Sequence, residues 1–158
     1  MSFGSEERWL GPAKGQQHLN AMLNTVYDLQ TDPIPADVEG AVRKALNKLR
    51  KRTLLVVVTN LRDETDEELI SGLSFAGRRH LVLLTSLREV ALREAVQRPI
   101  DSFGSALRYS ATQHYLRHRS LAHARLSMAG VLHLDVAPTE LAVQLVNQYL
   151  SVKASGRL

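Results

Sequence analysis

Three groups of residues in this 158-residue chain have types and spacings that could do chemistry. His114, His118 and His123 fall in one helical stretch. Residues four apart share a helix face, so His114 and His118 could in principle clamp a metal ion. The turn between them, Tyr115-Leu-Arg117, carries an arginine where the His-Glu-x-x-His pattern has its glutamate. An arginine there repels a cation, so the sequence favours plain helix histidines. Asp28, Asp32 and Asp37 gather around prolines, and three carboxylates near a helix start could hold a divalent cation. Turn and cap chemistry recruits aspartate to such places without any metal. Thr85, Ser86, His133 and Asp135 form the third group, at the ends of apolar runs. Their order defines no triad, and hydroxyls at strand ends commonly serve as caps. The nine glycines are dispersed and form no phosphate-cradling or nucleophile-elbow motif.

The elements that must position these residues are legible from periodicity. Three short apolar runs, Thr53-Leu-Leu-Val-Val-Val-Thr-Asn60, His80-Leu-Val-Leu-Leu-Thr-Ser86 and Val131-Leu-His-Leu-Asp-Val136, show no alternation. Such runs are strands with both faces buried. Helical stretches separate them, which predicts βαβ units and a parallel sheet. Helices are expected over about 16–29 and 36–50, from the Asp63–Glu68 segment (with Thr65 or Asp66 as its cap) to about 78, and over 87–96, 103–128 and 139–152. In the longest, Leu107, Ala111, His114 or Tyr115, Leu116, Leu121, Ala122, Leu126 and Met128 are expected to supply the apolar side. Asp101 or Ser102 caps it and Gly130 stops it. Met1–Phe3 and Arg8–Leu10 read as two strand ends joined by a turn at Gly4-Ser5. In open parallel sheets, ligands gather outside the C-terminal strand ends. Here those ends are Thr59-Asn60, Thr85-Ser86 and Asp135.

Length and composition predict one soluble domain over residues 1–158. No apolar run of about 18 residues is present, so no transmembrane helix is expected, and the N-terminus has no secretory pattern. With no cysteine, disulfides and thiol catalysis are excluded. A cytoplasmic setting fits. The net charge of +4 is partly concentrated in Arg43, Lys44, Lys48, Arg50, Lys51 and Arg52. Cations at a helix C-terminus complement its dipole, which accounts for most of this run. Aromatic residues make up only 5%, and without aromatic platforms nucleic-acid binding through residues 43–52 is the weaker reading.

The segments Leu54–Leu61, His80–Thr85, Met22–Gln30, Ala106–Tyr109 and Ala142–Leu158, in that order and spacing, carry a family resemblance. The chain resembles the C-terminal part of the von Willebrand factor A-like domain in an uncharacterised bacterial family. That family is catalogued as domain of unknown function fifty-eight and is often encoded beside MoxR-type AAA+ ATPases. The resemblance implies a Rossmann-like, three-layer α/β/α domain with a mainly parallel sheet, truncated on its N-terminal side and lacking the first strand. It also implies a metal-ion-dependent adhesion site at the sheet top. Only degenerate positions of that site remain, Asp37 in a loop and Asn60 where aspartate is usual. An oxygen cage needs more carboxylates, so no metal and no cofactor are expected.

Together these readings predict a non-catalytic protein-interaction module. The resemblance supplies a MoxR-type ATPase as the implied partner. Thr59, Asn60, Arg62, Asp63, Ser86 and Arg88 are the expected contact residues on the strand-end face. The strand from Thr53 to Asn60 would have a bare apolar edge, which a second copy could cover in a homodimer. The alternative from another class is a hydrolase of a phosphorylated small molecule, with Asp135 and Ser86 as its only candidates. An enzyme would show a concave pocket at the strand ends, and a protein-binding module a flatter surface.

Overall fold

A computed structural model describes residues 1–4, 6–30, 37–59 and 66–158. The chain divides into two compact units, Met1–Lys48 and Leu49–Leu158.

The first unit holds α1 (Gln16–Val26) and α2 (Val38–Lys48). The periodicity of α1 is as expected, but Leu19, Met22, Leu23 and Val26 all stay exposed. In α2, Val38, Ala41, Val42 and Ala45 are buried at the spacing of one helix face. Asp37 caps this helix, its Oδ1 accepting from the Gly40 amide at 2.7 Å. A Cβ at position 40 would lie 2.1 Å from that carboxylate, so glycine suits this third helical position. Residues 1–3 and 8–10 form no strands. Ser2 and Arg8 are instead joined directly, Ser2 N to Arg8 O at 3.0 Å and Arg8 N to Ser2 Oγ at 2.8 Å.

The second unit runs β1 (Leu54–Thr59), α3 (Asp66–Gly77), β2 (Leu81–Leu87), α4 (Val90–Gln97), α5 (Phe103–Met128), β3 (Leu132–Val136) and α6 (Leu141–Ala154). It is an α/β unit whose three strands are parallel, in the order β1-β2-β3. The central strand buries every residue from Leu81 to Ser86, as an unalternating apolar run should. The similar run in β1 behaves differently. Among the described residues β1 pairs only with β2, and Val56 and Val58 are 38% and 41% exposed.

Two helices, α3 and α5, touch each other and the sheet, so they cover one face. Leu69, Leu73 and Ala76 of α3 meet that core, as do Ala122 and Leu126 of α5. The buried stripe of α5 differs from expectation. Leu107, Ala111 and Leu121 are exposed, and Thr112, Arg119, Ala122 and Leu126 face inward. Ser102 caps α5 in a reciprocal box with Ser105. At its other end Gly130 adopts φ +76°. Gly130 N bonds Ser127 O, and Val131 N bonds Leu126 O, both at 3.0 Å, completing a Schellman motif. Helix α4 begins at Val90 rather than Leu87, because Leu87 continues β2 by pairing with Val136.

Candidate functional site

Parallel pairing aligns the three strand ends. Thr59 is the register partner of Ser86, and Ser86 is the register partner of Asp135. The sheet therefore sets a threonine, a serine and an aspartate in one row across its C-terminal edge. Helix α5 lays a guanidinium onto that row. Arg119 is buried, its side chain 6% exposed. Its Nη2 donates to Ser86 Oγ at 2.7 Å, to the Leu87 carbonyl at 3.0 Å and to Asp135 Oδ1 at 2.7 Å. Arg88, just past the end of β2, approaches the same aspartate from outside. Its Nη2 donates to the Asp135 carbonyl at 2.6 Å, and its Nε lies 3.7 Å from Asp135 Oδ2. One carboxylate thus sits between two guanidinium groups.

A cavity of about 330 Å³ opens beside this cluster. Leu92 and Val96, four apart on α4, line one side, and Leu116 of α5 lines another, one turn before Arg119. Arg88, Arg119, Asp135, Glu89 and Gln97 complete the wall. Two features of the wall are unbalanced. Arg119 Nε and Nη1 are buried without any acceptor. A guanidinium has five N–H donors and only those on Nη2 are used. Each buried donor left unpaired costs about 1–3 kcal/mol. The Glu89 carboxylate, half-buried at the start of α4, makes no hydrogen bond or ion pair with any described residue.

The chemistry open to the strand ends follows from this geometry. Ser86 is fully buried, and its Oγ accepts from Arg119 rather than facing a base. It therefore offers neither a nucleophile nor a surface contact, against the expectation that it lies exposed on the strand-end face. Both oxygens of Asp135 face guanidinium groups. On the far side of Asp135, His133 and His123 stack with ring centroids 4.8 Å apart, and His133 Nδ1 lies 3.2 Å from Ser127 Oγ. Burial pushes the His123 pKa down, the nearby Asp135 charge opposes this, and His133 and Arg119 add to it.

No family model, curated protein or solved structure matches this chain.

The remaining sequence expectations are placed as follows. Thr59 and Arg88 reach the strand-end region, whereas Asn60, Arg62, Asp63 and Asp32 lie outside the described residues. Asp37, expected as a remnant metal position, is occupied as the cap of α2. Asp28 is ion-paired with Arg8, which holds its carboxyl below the usual range. His114 and His118 stack at 4.3 Å on an exposed helix face. Among the described residues no three His, Asp or Glu side chains converge as metal ligands, and no helix is long and apolar enough to cross a membrane. In the basic run, Arg43 pairs with Glu39, Lys44 Nζ lies 2.5 Å from Glu7, and Lys48 Nζ sits 4.4 Å from the Trp9 ring centroid. Arg119, Glu89, Leu92, Val96 and Leu116 were not singled out from sequence as a site. A signal for Arg119 did exist. Thr112, Leu116, Arg119, His123 and Leu126 follow helical spacing, so the arginine interrupts an inward-facing stripe.

Proposed function

We propose that the second unit is a non-catalytic binding module whose strand-end cavity holds a ligand with an apolar body and a carboxylate end. The observation that carries this is Arg119, a buried guanidinium in the wall of a pocket whose one side is aliphatic (Leu92, Val96 and Leu116), with Nε and Nη1 unpartnered among the described residues. A carboxylate is the acceptor that a planar guanidinium fork matches best. The volume falls at the lower end of the range for small-molecule sites. The engagement of Ser86 and Asp135 by arginines supports binding over hydrolysis. Titration calorimetry of the whole chain with 4-methylpentanoate tests the reading. Binding that is lost in Val96→Trp, which fills the cavity, is the expected result. Failure of the wild type to bind either this compound or its 2-amino derivative at millimolar concentration would overturn it.

The outer edge of β1 over Leu54–Val58 pairs with no described strand, which favours a second reading, in which a second copy adds its own edge there to form a homodimer. Val56 and Val58, exposed on this edge strand, support it. The family resemblance would pair a further strand at this same edge. A MoxR-type ATPase as partner rests on the family resemblance alone. Analytical ultracentrifugation at micromolar concentration decides the dimer: a two-chain species supports it, and a clean monomer removes it.

A further inference from the structure

The cavity wall carries more than an anion site, and the charge balance identifies what it fits. Arg88 and Arg119 contribute two positive charges, and Asp135 and Glu89 two negative ones. The charged side chains described around the cavity therefore sum to zero. Yet they do not neutralise one another in pairs. Asp135 is shared by both arginines, which among the described residues leaves donors of Arg119 without an acceptor and the Glu89 carboxylate without a donor. A simple carboxylate would satisfy Arg119 and leave Glu89 facing an added negative charge. A simple amine would do the reverse. A molecule with both a carboxylate and an ammonium satisfies both and keeps the site neutral.

Resting on the reading of this cavity as a ligand site, we infer that it takes a free α-amino acid with an aliphatic side chain. The carboxylate would accept from Arg119, whose Nε and Nη1 are closed to solvent here and would open to it as the neighbouring side chains yield, the ammonium would donate to Glu89, and the side chain would lie among Leu92, Val96 and Leu116. The volume of about 330 Å³ suits a single amino acid of leucine size with room for a few waters. A peptide C-terminus presents the same carboxylate and side chain but an amide in place of the ammonium. It would leave Glu89 unpaired, so the free amino acid is the better match.

Titration calorimetry of the full chain near pH 7 with four compounds tests this. L-leucine carries both charges, L-leucinamide lacks the carboxylate, and 4-methylpentanoate lacks the ammonium. N-acetyl-L-leucine stands in for a peptide C-terminus. Leucine is expected to bind at least tenfold more tightly than each of the others. In Glu89→Gln, whose fold is checked by circular dichroism, leucine should fall to the level of N-acetyl-leucine while 4-methylpentanoate is unchanged or improved. If N-acetyl-leucine or 4-methylpentanoate binds as tightly as leucine, the amino-acid assignment is overturned while the cavity reading stands. If leucinamide binds as tightly as leucine, Arg119 does not read a carboxylate and both fail. If none of the four binds, both fail as well.

Discussion

Asp135 is held by two arginines in very different settings, and this makes their energies separable. Arg119 is buried and contacts Oδ1 at 2.7 Å, whereas Arg88 is about half exposed and its Nε lies 3.7 Å from Oδ2. Unit charges about 4 Å apart attract by about 4 kcal/mol at an effective dielectric near 20. The Asp135 side chain is 31% exposed, so solvent screening roughly halves that figure, to a coupling of about 2 kcal/mol between Arg119 and Asp135. For the exposed Arg88 the coupling should be about 0.5 kcal/mol. The hydrogen bond from Arg88 to the Asp135 carbonyl survives loss of the carboxylate, so a double-mutant cycle removes it from the comparison. The two cycles use Arg119→Met with Asp135→Ala, and Arg88→Ala with Asp135→Ala, measured by urea unfolding. Far-UV circular dichroism is the right probe, since the only tryptophan, Trp9, lies in the first unit and would report that unit. On its own, Asp135→Ala should lower the melting temperature by several degrees, at about 2–4 °C per kcal/mol for a chain of this size. An Arg88 coupling equal to or larger than that of Arg119 would refute the placement of Arg119 as the buried partner.

Three further outcomes follow from the structure. Burial pushes the pKa values of His80 and His123 below the usual 6.5, so between about pH 7 and pH 5.5 the unfolded chain takes up protons that the folded chain refuses. Stability should therefore fall as pH drops through that window, and urea midpoints should show a flatter slope for His80→Phe than for the wild type. Ser102→Ala removes the acceptor for the Ser105 amide and should destabilise by about 1 kcal/mol in urea unfolding, with Ser105→Ala similar because the box is reciprocal. Mg²⁺ or Mn²⁺ should leave the melting temperature unchanged against an EDTA control, since Asp37 caps α2 and Asp28 pairs with Arg8; a clear metal-dependent rise in a thermal-shift titration would show otherwise.

The strands and their parallel pairing were legible because three unalternating apolar runs separated by helical periodicity admit few other arrangements. The end of α5 was legible because Gly130 offers the left-handed conformation that a Schellman turn requires. Burial was harder to read. The runs in β1 and β2 look alike, yet β1 is an edge strand, and nothing within a run says which neighbours it will have. The apolar face of α1 has the right spacing and remains exposed, because periodicity shows that a face exists and not that something covers it. The site was half legible. The strand-end rule led to Ser86, Asp135 and Arg88. It did not lead to Arg119, which lies 16 residues before Asp135 on a different element and is brought to the strand ends only by the packing of α5. Glu89 and the aliphatic wall depend in the same way on where α4 settles against α5.

Arg119 is a buried guanidinium whose Nε and Nη1 meet no acceptor among the described residues. Its Nε–H resonance can be followed directly in nitrogen-15 correlation spectra of the whole chain, assigned by comparison with Arg119→Met. On titration with L-leucine, and more weakly with 4-methylpentanoate, that resonance should move, while those of Arg79 and Arg125, which do not line the cavity, stay in place. An Arg119 signal that stays unchanged at millimolar ligand, or one that moves no more than theirs, would contradict the account.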